Sequence, residues 1–335
     1  MINLCVTVIL LLLPAERDSL LSEIPANSYT WLEAFENYSG DTLTCIEHLF
    51  VLIPMEDRNN MTASVLEDHV ISALNSRNNW YNYLDDSTFL NYLLPYRIAD
   101  EPLSSYRSAL GAWLSRRIQP KENVQAMAEE INNVIKNAIV LSETSGDTVS
   151  FSPTQILPTG RASRKGRWIL LGAALRTMGI PAKPVMGWFP GVDQNLYLWI
   201  DVWTGQEWYT LPNGIPPLHY VKAAIEYPSM RNITAQYRDT GTLLTNPLSD
   251  FNEGGWSVEL LLPSGEDTTT ISNLFIDPFQ TSFVTLGAGQ FILRVQFSSG
   301  YEVIGTWLED IVIEADSTTS IDLTEAAYSI TPLPR

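Results

Sequence analysis

Four cations lie together at the start of a segment with helical spacing. They are Arg161, Arg164, Lys165 and Arg167. A positive side chain near a helix N-terminus opposes the helix dipole, which costs about 0.3–1 kcal/mol when the side chain is exposed. Such a cluster therefore needs a negative partner. Guanidinium groups and helix amides together form a suitable site for a carboxylate, a sulfate or a phosphate.

An internal ion pair is the alternative to a bound anion. Arg164 could reach Asp201 or Glu101, which would leave the other cations in solvent. The many acidic residues of the chain, and the need of buried polar groups for partners, favour this interpretation. Both hypotheses stay open on the sequence alone.

Thiol, imidazole and metal chemistry have few candidate residues. The chain has two cysteines and three scattered histidines, which are Cys5, Cys45, His48, His69 and His219. Their spacing predicts neither a disulfide framework nor a zinc site. Cys45 and His48 are close in sequence, but a free cysteine is most often a small buried hydrophobe. We therefore predict no metal and no cofactor.

A hydroxyl nucleophile is a weaker hypothesis. Ser163 directly precedes the helical segment and is well placed to cap it. No histidine lies near it in the sequence to activate its hydroxyl. Asp201 and Glu207 could be imagined as a catalytic carboxylate pair, but nothing supplies the separation of pKa values that such enzymes need.

The composition sets limits on the class of protein. The chain has 335 residues, 45% of them hydrophobic, with ten tryptophans and a formal net charge of −18. This content indicates a soluble globular protein with more than one core and argues against disorder. The negative charge argues against nucleic-acid binding, and no apolar run is long enough to span a membrane.

The N-terminus resembles an export signal. The apolar stretch Leu4–Leu13 has the length of a signal-peptide core, although no Lys or Arg precedes it and Pro14-Ala15 is an imperfect cleavage site. We expect residues 1–15 to be a signal peptide and the protein to be extracytoplasmic, that is, secreted or periplasmic. A buried N-terminal helix is the alternative.

The hydrophobic spacing divides the rest of the chain into three predicted domains. Residues 16–120 show helical periodicity, 121–232 combine helices with a β-hairpin, and 233–335 contain short β-rich runs that predict a β-sandwich. Three helix faces are predicted in the first domain. They consist of Trp31, Leu32 and Phe35; of Cys45, Ile46, Leu49 and Phe50; and of Val65, Leu66, His69 and Ala73.

The middle domain is predicted to be a helix packed on an antiparallel sheet. A first helix is predicted over Val124 to Ser142, and a second over Ser163 to Met178, which Gly179 can close in a left-handed conformation. The segments Leu196–Trp203 and Glu207–Leu211 predict a hairpin that carries Trp199 and Trp208. The predicted class is α+β.

These motifs resemble the transglutaminase-like domain of the papain-like superfamily, in a bacterial form with a helical N-terminal region and a β-sandwich tail. The matching segments are Leu175-Arg-Thr-Met-Gly-Ile-Pro-Ala182, Trp199-Ile-Asp-Val202, Gly205 to Trp208, and more weakly Leu94 to Leu103 with Tyr106-Arg107. The resemblance implies a cysteine nucleophile, a histidine base and an orienting acid. Those positions fall on Arg164, Tyr197 and Pro212, none of which can perform these roles.

The resemblance therefore predicts a catalytically inactive relative that acts as a binding or scaffolding module. Its old cleft would be lined by the four cations together with Tyr197 and Trp188, and the expected ligand is an anionic small molecule, a peptide or a glycan. Strand aromatic residues can stack on sugars or peptides, but they are more often core. A hydrolase that uses Ser163 or carboxylates in the same cleft is the alternative.

Overall fold

A computed structural model describes most of the chain. It covers residues 14–142, 150–188, 196–211, 221, 223–227, 229–248, 251, 255–264, 267–271, 276–299 and 301–330. The chain forms two units, one of Met1–Pro184 with Trp199–Asn213 and the other of Val185–Leu198 with Gly214–Arg335. Their limits do not coincide with the predicted boundaries at residues 120 and 232. The mixture of helices and sheets confirms the predicted α+β class.

The first unit begins with a series of helices. They are α1 (Pro14–Ser22), α2 (Ser28–Asn37), α3 (Gly40–Leu52), α4 (Met55–Asn60), α5 (Ala63–Ser76), α6 (Asp86–Thr88), which continues into a π-helical turn over Phe89–Leu93, and α7 (Arg107–Ser115). An aromatic core is formed by Trp31, Phe35 and Phe50. The distance between the ring centroids of Trp31 and Phe50 is 4.9 Å. The predicted position of Leu32 on this face is wrong. It is 40% exposed, because it lies about 100° around the helix from Trp31.

The same unit continues with the remaining helices and the hairpin. These elements are α8 (Val124–Ala138), β1 (Val140–Leu141), α9 (Pro153–Thr159), β2 (Arg161–Ala162), α10 (Arg164–Thr177), β3 (Ala182–Trp188), which passes into the second unit, β4 (Leu196–Trp203) and β5 (Trp208–Leu211). The helix predicted to reach Ser142 ends at Ala138, since Ile139 is extended (φ −113°, ψ 111°) and leads into β1. Strand β1 pairs in parallel with β2.

Helix α10 packs against β4 of the hairpin, which confirms the predicted contact with the strand of Trp199. The indole of Trp168 donates a hydrogen bond of 2.8 Å to the carbonyl of Trp199 on β4, and β4 pairs antiparallel with β5. A β-carbon at Gly172 would lie 2.9 Å from Ile98 and 3.3 Å from Ile200, so the helix approaches both closely only because this residue is glycine. Gly179 closes the helix with φ +82°.

The second unit is rich in β-structure. Its elements are β6 (Ala223–Glu226), β7 (Arg231–Asn232), a 3₁₀ turn (Thr234–Gln236), β8 (Thr240–Asn246), β9 (Trp256–Ser264), β10 (Asp267–Thr270), β11 (Ser282–Gly287), β12 (Gly289–Ser299), β13 (Glu302–Ile313), β14 (Thr318–Asp322) and α11 (Leu323–Ile330). One sheet has the order β10-β9-β12-β13 and another the order β11-β8-β14.

The two sheets share one hydrophobic core. Leu243 and Leu286 come from the three-stranded sheet, whereas Leu260, Phe291 and Leu293 come from the four-stranded one, and all five are buried in the same cluster. This arrangement is the β-sandwich predicted for the C-terminal region. No helix in the described ranges is both long enough and apolar enough to cross a bilayer.

Candidate functional site

The N-terminal end of α10 is fixed by a side-chain cap. The hydroxyl of Ser163 accepts a hydrogen bond of 3.0 Å from the backbone N–H of Gly166. Ser163 itself is extended (φ −67°, ψ 173°), as a helix N-cap requires. The first turn that carries the cations is therefore held in a defined position, and the hydroxyl of Ser163 is occupied as an acceptor.

We expect replacement of Ser163 by alanine to lower the free energy of unfolding by about 1 kcal/mol, the usual effect of losing an N-cap. The Ser163→Asp variant is the matched control, because aspartate also caps helices and places a negative charge at the positive end of the dipole. Urea unfolding followed by tryptophan fluorescence measures both variants. An alanine variant as stable as the wild type would contradict this role.

The four cations of the cluster have different surroundings. Arg161 and Arg164 are exposed, and neither has an ion pair with any residue in the described ranges. The ammonium of Lys165 lies 2.7 Å from a carboxylate oxygen of Asp100. Arg167 donates a hydrogen bond of 2.5 Å to the carbonyl of Ile139, and its partial burial lowers the pKa of its guanidinium. Two of the four cations are thus available to solvent.

The two carboxylates predicted as internal partners of Arg164 have other partners. Asp201 lies 3.3 Å from the buried ammonium of Lys183 and accepts a hydrogen bond of 2.7 Å from Thr210. Glu101 accepts hydrogen bonds from the backbone N–H groups of residues 98 and 99, and its burial raises the pKa of its carboxyl group. The internal pair of Arg164 with Asp201 or Glu101 is not observed.

The internal acid at this end of α10 is Asp100, which pairs with Lys165. Partial burial acts to raise the pKa of Asp100, but hydrogen bonds from Lys165 and from the hydroxyl of Ser150 outweigh it and hold the pKa below its usual value. Successive helix residues differ by about 100°, so neighbouring cations meet different surroundings. Asp100 was not among the residues predicted to pair with the cluster, although its place one residue before Glu101 could have suggested it.

The remaining predicted residues belong to the second unit or lie outside the described residues. Trp188 is buried in the core of the second unit, with 1% of its surface exposed. Tyr197 is half-buried on β4 in the same unit. Pro212 lies outside the described residues. The role of Trp188 and Tyr197 in binding stays a prediction.

Cys45 is poorly suited to nucleophilic chemistry. Its side chain is 2% exposed within α3, and burial raises the pKa of the thiol to about 12. A thiol with this pKa is almost entirely protonated at neutral pH, whereas the nucleophile is the thiolate. Cys5 and His219 lie outside the described residues.

His69 is held as a neutral ring. Its Nδ1 accepts a hydrogen bond of 3.1 Å from Arg107, and its Nε2 lies 3.0 Å from the carbonyl of Ser104. Burial is the main cause that holds the pKa of His69 far below 6.5, and the positive charge of Arg107 is the second. Within the described parts of the chain, no group of His, Cys, Asp and Glu side chains could hold a metal ion.

Two buried arginines bind backbone carbonyls, and neither was predicted from the sequence to do so. Arg176, on α10, donates to the carbonyls of Tyr92 (3.0 Å), Arg97 (2.6 Å) and Ala182 (2.9 Å). Arg107, at the start of α7, donates to the carbonyls of Leu93 (2.6 Å) and of Arg176 itself (3.1 Å). Both side chains are fully buried. We call these two side chains the arginine clamp.

The arginine clamp joins segments that are far apart in the sequence. Three of the segments that resemble the transglutaminase-like pattern are involved. They are the segment that begins at Leu94, the Tyr106-Arg107 pair and the segment that contains Arg176. In the structure, the guanidinium groups of Arg107 and Arg176 bind carbonyls between residues 92 and 97 and so join these segments. Their part in the resemblance was the one signal in the sequence.

Comparison with known families is consistent with this geometry. Residues 112–211 match the family model of the transglutaminase-like superfamily. The matched range includes α10 and the hairpin. The match places a transglutaminase-like domain at residues 112–211. No curated protein matches the chain.

Solved structures give weaker similarities. One is a candidate cysteine protease from Cytophaga hutchinsonii, with 12% identity and a TM-score of 0.34, over 70% of this chain and 58% of that one. A candidate protease from Parabacteroides distasonis has 12% identity and a TM-score of 0.32, over 65% of this chain and 50% of that one. The chain thus spans little more than half the length of these structures. A minor pilin from Streptococcus agalactiae has 13% identity and a TM-score of 0.17, over 43% of this chain and 80% of that one.

Proposed function

We propose that this protein is a catalytically inactive transglutaminase-like module that binds an acidic ligand at the N-terminal end of α10. The observation that carries the proposal is the exposed guanidinium of Arg164 at the first position of this helix. In the resemblance, this is the position of the nucleophile. Arginine cannot act as a nucleophile, but it binds carboxylates and phosphates well.

The surroundings of Arg164 support an external partner. Arg161 is also exposed and adds a second positive charge, while the helix dipole places partial positive charge at the same end. The nearby acid Asp100 is already bound to Lys165 and Ser150. A ligand carboxylate would therefore meet two uncommitted guanidinium groups.

The alternative of a hydrolase that uses Ser163 has less support. The hydroxyl of Ser163 accepts the N–H of Gly166, and the ring of His69 is committed to Arg107 and Ser104. A serine nucleophile needs a base within hydrogen-bond reach. We also propose an extracytoplasmic location, which rests on the Leu4–Leu13 stretch; that stretch lies outside the described residues.

Binding of an acidic peptide tests the proposal. We expect the full chain to bind a fluorescent hexaglutamate peptide in a salt-sensitive way, and Arg164→Ala to weaken binding about tenfold, the lower end of the range for a charge-assisted hydrogen bond. Lys136→Ala is the matched control, because Lys136 lies in the last turn of α8 and outside the cluster. Equal binding by Arg164→Ala and the wild type would contradict the proposed site.

An activity assay tests the absence of catalysis. We expect the purified chain to show no incorporation of an amine into a glutamine-containing peptide and no hydrolysis of that peptide. Turnover that disappears in Ser163→Ala but persists in Arg164→Ala would favour the hydrolase.

A further inference from the structure

A cleft in the helical part of the first unit lies apart from the end of α10. It opens between the start of α3, the C-terminal end of α5 and the segment around Asp86. Its outer chamber has a volume of about 450 Å³ and is lined by Asp41, Asn75, Arg77, Tyr83 and Asp86, among others. This volume lies within the range of small-molecule sites.

A second chamber adjoins the first and is less polar. Its volume is about 170 Å³, and its walls include Cys45, Phe89 and Leu90. Asp41 and Arg77 line both chambers, as do Leu74 and Asp86, so the two chambers adjoin at these residues. The cleft thus has a polar mouth and an apolar end.

The charges at the mouth are unequal. Arg77 is already committed, because it forms an ion pair with Asp86, donates a hydrogen bond of 2.8 Å to the carbonyl of Leu84 and lies 4.6 Å from the ring centroid of Phe89. The carboxylate of Asp41 has no ion pair or hydrogen bond with another residue in the described ranges. The mouth therefore carries two carboxylates against one guanidinium.

The uncommitted charge favours a positive ligand. The thiol of Cys45 adds no negative charge at the apolar end, because burial keeps it protonated. Tyr83 lines the mouth and is 74% exposed, so its aromatic ring is accessible to a cation. A calcium ion is less suited than an organic cation, since two carboxylates supply too few of the six to eight oxygen ligands that calcium takes, and the apolar chamber would stay empty.

We infer that this cleft binds a small organic cation, whose ammonium group lies between Asp41 and Asp86 and whose compact apolar body fills the chamber lined by Phe89 and Leu90. This site is independent of the proposed function. It needs neither Arg164 nor the N-terminal end of α10.

A series of ligands with one apolar body tests the charge requirement. The probes are 2-phenylethylamine, 2-phenylethanol and 3-phenylpropionate, titrated into the full chain by calorimetry at neutral pH. We expect the amine to bind at least tenfold more tightly than the alcohol, and the carboxylate to bind least. Absence of binding by the amine at 10 mM, or equal binding by the alcohol, would overturn the inference.

Substitutions test the location. We expect Asp41→Asn to weaken binding of 2-phenylethylamine at least tenfold, whereas Asp18→Asn, at an exposed acid on α1, leaves it unchanged. Tyr83→Leu, a second variant at an exposed residue, should weaken binding about threefold and keeps the test valid if Asp41→Asn fails to fold. Equal losses in the Asp18 and Asp41 variants, or none in either cleft variant, would overturn the inference.

Discussion

Replacement of Arg176 by methionine is expected to lower the free energy of unfolding by about 3–5 kcal/mol. The guanidinium of Arg176 is fully buried, and it donates to carbonyls of residues 92, 95, 97 and 182. Methionine fills the space of the stem but leaves these acceptors without partners, at about 1–3 kcal/mol for each buried group. Removal of a buried charge offsets part of this cost.

The matched control for this prediction lies on the same helix. Arg164→Met makes the same chemical change at an exposed position, where surface substitutions alter stability by about 0.5 kcal/mol or less. Urea unfolding monitored by tryptophan fluorescence gives both values. A loss below 1 kcal/mol in Arg176→Met would show that the carbonyls find other donors and that the clamp contributes little.

Acid is expected to destabilise the protein through His69. The unfolded chain binds a proton on this ring below pH 6.5, whereas the folded chain does not until the pH is far lower. The unfolded state therefore binds more protons in this window, and the free energy of unfolding falls as the pH falls, by up to about 1.4 kcal/mol per pH unit from this one group. The charged groups that act on the ring are Arg107, Arg176 and Asp68.

The His69→Gln variant isolates this contribution. Glutamine can donate to the carbonyl of Ser104 from a similar position, and it does not titrate. Carboxylates contribute equally to both proteins, so the difference between their stability curves from pH 7 to pH 4 belongs to His69. We expect a flatter curve for the variant. Parallel curves would mean that His69 is not a buried neutral ring.

Much of the local structure near the site follows from the sequence. The cap at Ser163, the left-handed Gly179 and the repeat of apolar residues between them were sufficient to predict α10. The hairpin was predicted from the alternating apolar and polar residues around Trp199 and from the turn at Gly205. These signals are local, since each depends on residues within one or two turns of each other.

The partners of the buried charges did not follow from the sequence. Lys165 pairs with Asp100, which lies 65 positions earlier in the sequence. The predicted ion pair involved Arg164 instead, the residue directly before Lys165 on the helix. The arginine clamp is harder still to predict, because its acceptors are backbone carbonyls and any residue type supplies a carbonyl. The resemblance to one family was the only indication in the sequence that the segments of the arginine clamp belong together.

The arginine clamp has a consequence for the order in which the chain can fold as it is synthesised and emerges. Arg176 follows Tyr92 by 84 residues, so at about 5–20 residues per second it is synthesised roughly 4–17 s later. Until then the carbonyls of Tyr92 and Arg97 lack the guanidinium donor that they have in the folded chain. The preceding helices have then been synthesised, but their contacts with α10 have not formed. The N-terminal helices are therefore expected to stay accessible to proteases and chaperones until α10 has emerged and docked.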